Sequence, residues 1–347
     1  MKSYIISTIA VSAFSVLVAT QNTTYQRGLS DHFIKFLDIN KNYYPYNFNR
    51  TYYFGGSFGG KENDSTPINR VPVVFVHGAG DRIYGDDPSN NGFRYTIEYF
   101  LDHGYTKSEL YGSMWAFADL PPKQYNLVSD TEYIIAIRRF IEAVLDYTGA
   151  PQVDVISHSM GVPLSRAAIK GGVYPMQNIG DIQMKPINVK IRTFIGIAGL
   201  NHGVYYCQFS FIRYLFLGCN DKNGFYPGNI VNGKVVNQSE FVHNLNEDKT
   251  KEADNAYALI SLHDYQIFFN GEYMSGFPTM DAGFVFTNPN YTHLGLRDLT
   301  ADFQYKLLNT NSSDDASLSE QVDLMVTKIY SNSQHDTVSE QRSLLLQ

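Results

Sequence analysis

The stretch QVDVISHSMGVPLSRAAIKGG, residues 152–172, decides the fold. Its first part, QVDVISHS, carries a short β-branched apolar run and reads as a buried strand. Its second part, MGVPLSRAAIKGG, reads as a helix, with Pro163 in the first turn, where a missing N–H costs little. Between them sits SHSMG. A nucleophile on such a strand-to-helix elbow needs small flanking residues, because strand and helix pack closely around it. Gly161 supplies one flank. Ser157 stands at the other, where glycine is usual, and is small enough. Ser159 is the candidate nucleophile; Ser157 lacks a glycine at the matching downstream offset. The competing reading is a serine-rich turn with no chemistry, and the surrounding elements decide against it.

Those elements alternate. VPVVFVHG from Val71, ELYGSMWAF from Glu109, QVDVISHS, VKIRTFIGIAG from Val189, NAYALISL from Asn255 and DAGFVFTN from Asp281 read as strands. GFRYTIEYFLDHGY from Gly92, TEYIIAIRRFIEAVLDYTGA from Thr131 and RDLTADFQYKLLN from Arg297 read as helices. Strands of buried character alternating with helices predict a mostly parallel sheet of about six strands covered on both faces, in one α/β domain. Sites on such sheets lie beyond the C-terminal strand ends. GSFGGKENDSTP before the first strand reads as a Gly-rich loop.

An elbow serine needs oxyanion donors, an acid and a base. The Met160 N–H, next after the serine, supplies one donor. The loop HGAGD after VVFV supplies the other, assigned to the Ala79 N–H. GAGDR lacks the spacing of a phosphate-binding loop. The acid and base follow the serine in that order. After the strand ending GIAG there is no carboxylate. After AYALISL comes Asp264, the expected acid. Of the nine histidines, only His293 and His335 come later still. His335 lies in a polar tail, whereas His293 lies in the loop NPNYTHLGL after a strand, and is the expected base. His77 precedes the serine and reads as structural. No histidine or cysteine spacing resembles a metal site, and no cofactor is expected.

The composition fits. The 347 residues are 44% hydrophobic, 18% charged and 14% aromatic, with a net charge of −7 and no basic run. That excludes binding nucleic acid by charge. MKSYIISTIAVSAFSVLVATQ at the N-terminus has a basic start, an apolar run and small residues, so residues 1–20 read as a signal peptide cleaved between Ala19 and Gln21; the alternative is an uncleaved signal anchor, for which the apolar run is short. No later stretch is long enough to span a membrane. Sequons begin at Asn22, Asn49, Asn63, Asn237, Asn290 and Asn311 and agree with a secretory route. In an oxidising compartment Cys207 and Cys219 are expected to pair. Residues 21–308 read as the catalytic domain and 309–347 as a polar C-terminal extension.

GSFGGK, PVVFVHGAGD, IEYFLDHGYTKSELYGSMW, RRFIEAVLDYTGA, VDVISHSMGVPLSRAAIKGG and GIAGLNHG together resemble the secreted class 2 lipase family, especially its nematode branch. The resemblance runs from about Phe33 to about Leu308. It implies a minimal α/β-hydrolase fold with Ser159 as nucleophile, supports Asp264 and His293 as partners, and implies hydrolysis of lipid esters such as acyl glycerols. The family has Gly or Ala where Ser157 stands. GFYPGNIVNGKVVNQSEFVHNLN resembles its variable loop. The same machinery serves an acyl thioesterase or acyltransferase, and the fold alone would serve a non-catalytic lipid carrier. Between the cysteines, QFSFIRYLFLG (208–218) has two readings: a lid or interfacial loop meeting lipid, or a buried helix packed on the sheet.

Overall fold

A computed structural model of the chain describes residues 25–44, 46–118, 123–176, 180–232, 234–269, 272–273, 275–309 and 324–327. The stretch read as a signal peptide, Asn22, Asn311, His335 and most of the C-terminal extension lie outside the described residues.

The central sheet has nine strands: β1 (Gly28–Leu29), β2 (Ser57–Gly59), β3 (Val73–Val76), β4 (Leu110–Ser113), β5 (Val153–His158), β6 (Ile191–Ile197), β7 (Asn255–Ser261), β8 (Ala282–Phe286) and β9 (Leu324–Thr327). Their order is β1-β2-β4-β3-β5-β6-β7-β8-β9. The block β4-β3-β5-β6-β7-β8 is parallel throughout and consists of the six strands the sequence predicts. The other three correct the count. β2 runs antiparallel to β4, β1 pairs parallel with β2, and β9 runs antiparallel to β8. β2 lies inside the stretch read as a Gly-rich loop. Three residues between glycines are too few to show a strand period, so only pairing with β4 defines it.

β3 and β5 are buried along their whole length, as a parallel strand covered on both faces must be. The helices are α1 (Asp31–Ile39), α2 (Arg94–Asp102), α3 (Thr131–Thr148), α4 (Gly161–Lys170), α5 (Ser210–Leu215), α6 (Glu240–Glu247), α7 (His293–Asp298) and α8 (Ala301–Asn309). In α3, Asp130 caps the first turn by accepting from the Glu132 N–H at 3.1 Å. Gly149 closes the last turn with φ 68°, a conformation glycine adopts without strain. Ile134, Ile137, Ile141 and Val144 face the core as the periodicity predicts, and Leu145 is half-buried. The helix predicted from Arg297 is two helices that break at Leu299–Thr300. The first starts earlier, at His293, because the Thr292 hydroxyl caps it through the Gly295 N–H at 3.1 Å.

The structure joins Cys207 and Cys219 in a disulfide, with Cα atoms 5.1 Å apart and a sequence separation of 12. The segment it closes carries α5, in which no residue is buried. Phe211 is 75% exposed and Tyr214 91%. That overturns the reading of 208–218 as a buried helix: Phe209, Phe211, Tyr214, Leu215 and Leu217 are exposed, and only Ile212 and Phe216 of its large apolar side chains pack part-buried on the core. Closing a loop of this size stabilises by about 3 kcal/mol through the entropy of the unfolded chain. A Cys207→Ala/Cys219→Ala double variant is therefore expected to lose about that much in urea melts; no change would show that the loop is pinned by its other contacts alone.

Candidate active site

Ser159 sits where the sequence places it, directly after β5, with φ 54°. Left-handed backbone is unfavourable for a residue with a Cβ, and here neighbours hold it. The Ser159 N–H donates to the Ile197 carbonyl at 2.9 Å, and the Ser159 carbonyl accepts from Val162 N at 3.1 Å and Leu200 N at 3.3 Å. Gly161 explains why one flank must be bare: a Cβ there would stand 2.4 Å from the His77 carbonyl oxygen and 2.8 Å from that of Val76. Ser157 is fully buried, its hydroxyl 2.8 Å from that of Ser165, which donates to the Gly161 carbonyl at 2.7 Å. It braces the first turns of α4 and has no route to substrate.

Three side chains from three strand ends then meet. His293 Nε2 lies 2.8 Å from Ser159 Oγ, and His293 Nδ1 lies 2.6 Å from Asp264 Oδ2. All three are buried, with the serine 6% and the histidine 7% exposed, enough for a small reactant to reach them. A carboxylate at Nδ1 accepts the ring N–H, which leaves the lone pair of Nε2 to accept from the serine hydroxyl. The loops that deliver acid and base are laced together. Leu262 N donates to the Phe286 carbonyl at 3.1 Å, His263 Nε2–H to that of Thr287 at 2.7 Å, and Ser261 Oγ to that of Tyr291. His293 itself opens α7 and is not in a loop, contrary to expectation.

The loop after β3 runs along the serine. A Cβ on Gly78 would fall 2.9 Å from Ser159 Cβ, so glycine is required for this approach. Ala79, Met160, Ser159 and His293 line one cleft of about 260 Å³. Leu127, Leu200, Val204, Tyr206, Phe225 and the disulfide add apolar wall to it. His77 is fully buried, stacked on Trp115 with ring centres 5.0 Å apart, and burial pushes its pKa down to about 3. Its Nδ1–H donates to the Gly78 carbonyl at 2.6 Å and its Nε2 accepts from the Trp115 N–H at 3.2 Å. It is structural, as predicted.

One residue of the site went unread in the sequence. His158, between the two serines of SHSMG, donates from Nε2 to the His293 carbonyl at 3.0 Å. Burial, with Arg297 adding to it, holds its pKa well below the usual value, so the ring stays neutral. It fixes the backbone of the residue that faces Ser159. The only signal for it was position: the last residue of β5 must face the loops above the sheet. Of the sequons, Asn63, Asn237 and Asn290 are exposed and Asn49 is half-buried. No described helix is long and apolar enough to cross a membrane.

A mostly parallel sheet with a strained serine elbow at its C-terminal edge defines an α/β-hydrolase. The profile of the family described as Lipase (class 2) matches residues 70–306, and the chain belongs to that family, whose members are carboxylic ester hydrolases. Among solved structures it is similar to Bacillus licheniformis lipase BlEst2 in mature form, at 13% identity over 74% of this chain and 99% of that one, TM-score 0.45. It is similar to Aspergillus fumigatus lipase B at 13% identity over 77% of this chain, TM-score 0.43, and spans 56% of that protein's length. Naproxen esterase from Bacillus subtilis matches at 14% identity over 73% of this chain and 87% of that one, TM-score 0.38.

Replacing Gly161 with Ala is expected to cost ~1–3 kcal/mol of stability, as overpacking does. It should also lower kcat on a soluble ester by about 10- to 100-fold, because it displaces the Met160 N–H and Ser159 together. Kinetics below the melting transition check this; unchanged kcat would show that the elbow tolerates the side chain.

Proposed function

We propose that the protein is a secreted serine hydrolase that cleaves carboxylic esters of lipids through an acyl-enzyme. The observation that carries this is the continuous chain Asp264–His293–Ser159, at 2.6 and 2.8 Å, on a strained elbow facing an apolar cleft. Ser159 Oγ attacks the ester carbonyl while His293 Nε2 takes its proton. Asp264 holds the ring and balances the imidazolium. The N–H groups of Ala79 and Met160 receive the oxyanion. The tetrahedral intermediate collapses, His293 returns the proton to the leaving alcohol, and the acyl group stays on Ser159. Water, activated by the same histidine, then releases the acid. An acyltransferase or thioesterase differs only in acceptor or leaving group. A non-catalytic carrier has no need of the aligned chain. The N-terminal leader, the disulfide and the sequons support secretion.

Leu127, Leu200, Val204, Tyr206 and Phe225 give the cleft an apolar wall for an acyl chain. Among p-nitrophenyl esters of graded length, kcat/KM is expected to rise from the acetate as added methylenes reach that wall; a flat profile would show that the chain does not enter the cleft. A thioester of the same chain and emulsified triacylglycerol complete the panel. Ser159→Ala should abolish hydrolysis, with a loss of at least ~10³-fold; persistence of activity would overturn the mechanism.

The exposed side chains of Phe209, Phe211, Tyr214, Leu215 and Leu217 form an apolar lip beside the cleft, to which Cys207, Gly218 and Cys219 contribute wall. We read the lip as the contact with a lipid surface. A Phe211→Ser/Leu217→Ser variant should fold, keep its activity on a soluble short ester, and lose most activity on emulsions. Equal activity on both substrates would remove the lip from the mechanism.

A further inference from the structure

Beside the catalytic residues lies a set of buried charges, one of which, Asp81, also lines the cleft, and which no chemical step above uses. Arg297 is fully buried and donates through every edge of its guanidinium: Nη1 to Asp81 Oδ2, Nη2 to Asn91 Oδ1, and Nε to Asp298 Oδ1 at 2.7 Å. Asn91 Nδ2 closes the ring by donating to Asp298 Oδ2 at 3.2 Å. Asp81, 4% exposed, accepts at its other oxygen from Arg82 N at 2.8 Å and Gly92 N at 3.0 Å. Burial raises the Asp81 carboxyl and works against the Arg297 charge, yet each faces the other's field and the Arg297 guanidinium is held firmly protonated.

A buried pair of this kind is a weak source of net stability, because desolvation offsets the attraction. What it supplies is position. Asp81 ends the turn that carries Ala79: the Asp81 N–H donates to the Gly78 carbonyl at 3.3 Å, with Ala79 between them. Arg297 lies one helical turn beyond His293 in α7. The strands that deliver these two segments, β3 and β8, stand four places apart in the sheet. At ~4.8 Å per strand that is about 19 Å, and no ladder hydrogen bond relates them directly. The ion pair does.

We propose that Arg297 and Asp81 are positioning residues that lock the oxyanion loop to the helix bearing His293. The proposal rests on the reading of Ala79 as oxyanion donor and His293 as base. In the reaction the oxyanion and the imidazolium form in the same step, so donor and base must hold their separation to within ~0.5 Å. A planar guanidinium with fixed donor directions suits that task; the flexible single-point ammonium of lysine does not.

Arg297→Lys keeps the charge and loses the fork. Asp81→Asn keeps the bonds from Arg82 and Gly92 and loses the charge. The double variant Asp81→Asn/Arg297→Met removes both charges together. Kinetics on a soluble short-chain ester, well below each melting temperature, would be normalised to the serine titrated by a fluorophosphonate. The expected result is a fall in kcat of about 10- to 100-fold for each single variant, with KM within about twofold. The double variant, which leaves Asp298 with Asn91 as its remaining partner, should recover none of the kcat whatever melting temperature it regains. Wild-type kcat per titrated serine in Arg297→Lys, or in the double variant, would overturn the proposal. If Arg297→Lys does not fold, Asp81→Asn gives the same comparison. Ser159→Ala is run alongside: hydrolysis surviving there overturns the underlying chemistry, whereas an inactive Ser159→Ala beside fully active brace variants overturns the brace alone.

Discussion

The left-handed backbone of Ser159 is the constraint around which the molecule is arranged. A residue with a Cβ gives up roughly 1–2 kcal/mol to stand at such a φ. It persists only because several independent contacts fix it. The β5–β6 ladder pairs His158 with Ile197, and the Ser159 N–H continues onto the same Ile197 carbonyl. Gly161 lets α4 start against the carbonyls of Val76 and His77, and Gly78 lets the neighbouring loop lie on the serine. Ala198, at the end of β6, also has a positive φ, 49°, so two adjacent strands leave the sheet by the same sharp turn. Together they open the space above the sheet into which His293 reaches.

Much of this was legible because it is local. The six parallel strands each carry a short apolar segment, interrupted in β5 by Asp154 and in β6 by Arg192 and Thr193, and the elbow announces itself by small residues on both sides of Ser159. Asp264 and His293 were found by position relative to strand ends, and they do approach the serine. What escaped had no periodicity to show it: β2 and the exposed α5 are decided by partners distant in sequence, and the six-residue α7 by a local cap. β2 is a strand only because β4 lies beside it. α7 exists because Thr292 caps it and Gly295 allows close approach to the Asn290 carbonyl. The exposure of α5 could not be read from composition, since QFSFIRYLFLG is as apolar as a core helix. The disulfide and a rim of anchoring bonds hold it outside instead. Leu217 N donates to Asn126 Oδ1 at 3.0 Å, and Phe216 packs on Tyr125 at 5.1 Å.

The charges inside the molecule follow a pattern that composition also hides. Arg166 is fully buried, bound to Glu252 at 2.9 Å and to the side chains of Asn201 and Asn246 at 3.0 Å each. Lys170 joins the same carboxylate at 3.3 Å. Burial opposes the charge of Glu252, but Arg166 and Lys170 prevail and hold its carboxyl below the usual range. Asn201 belongs to the loop after β6, which supplies Leu200 and Val204 to the cleft. Through Asn201 this network braces the cleft wall, as we propose that Arg297 and Asp81 brace the loop carrying Ala79.

The Arg297–Asp81 network lies above the C-terminal strand ends, where loops replace regular structure; Arg166 and Lys170 lie in α4 and Glu252 just before β7, and they reach that edge through Asn201. Loop backbone has no ladder to satisfy its N–H and C=O groups, so side chains must do it. Hydrocarbon packing at these places would stabilise without fixing orientation, because it is non-directional. Hydrogen-bonded charges are directional, and a buried network in which each member is satisfied selects one arrangement; all three donor nitrogens of Arg297 are engaged, whereas Nη2 of Arg166 has no hydrogen-bond partner among the described residues. A site whose serine, base and oxyanion donors come from separate loops needs that selection more than it needs net stability. The buried polar networks and the exposed apolar lip of this protein thus follow, on the proposed mechanism, from one requirement: rigid polar scaffolding beside the cleft, where geometry governs the chemistry, and exposed Phe and Leu at the lip, where we propose that the substrate arrives.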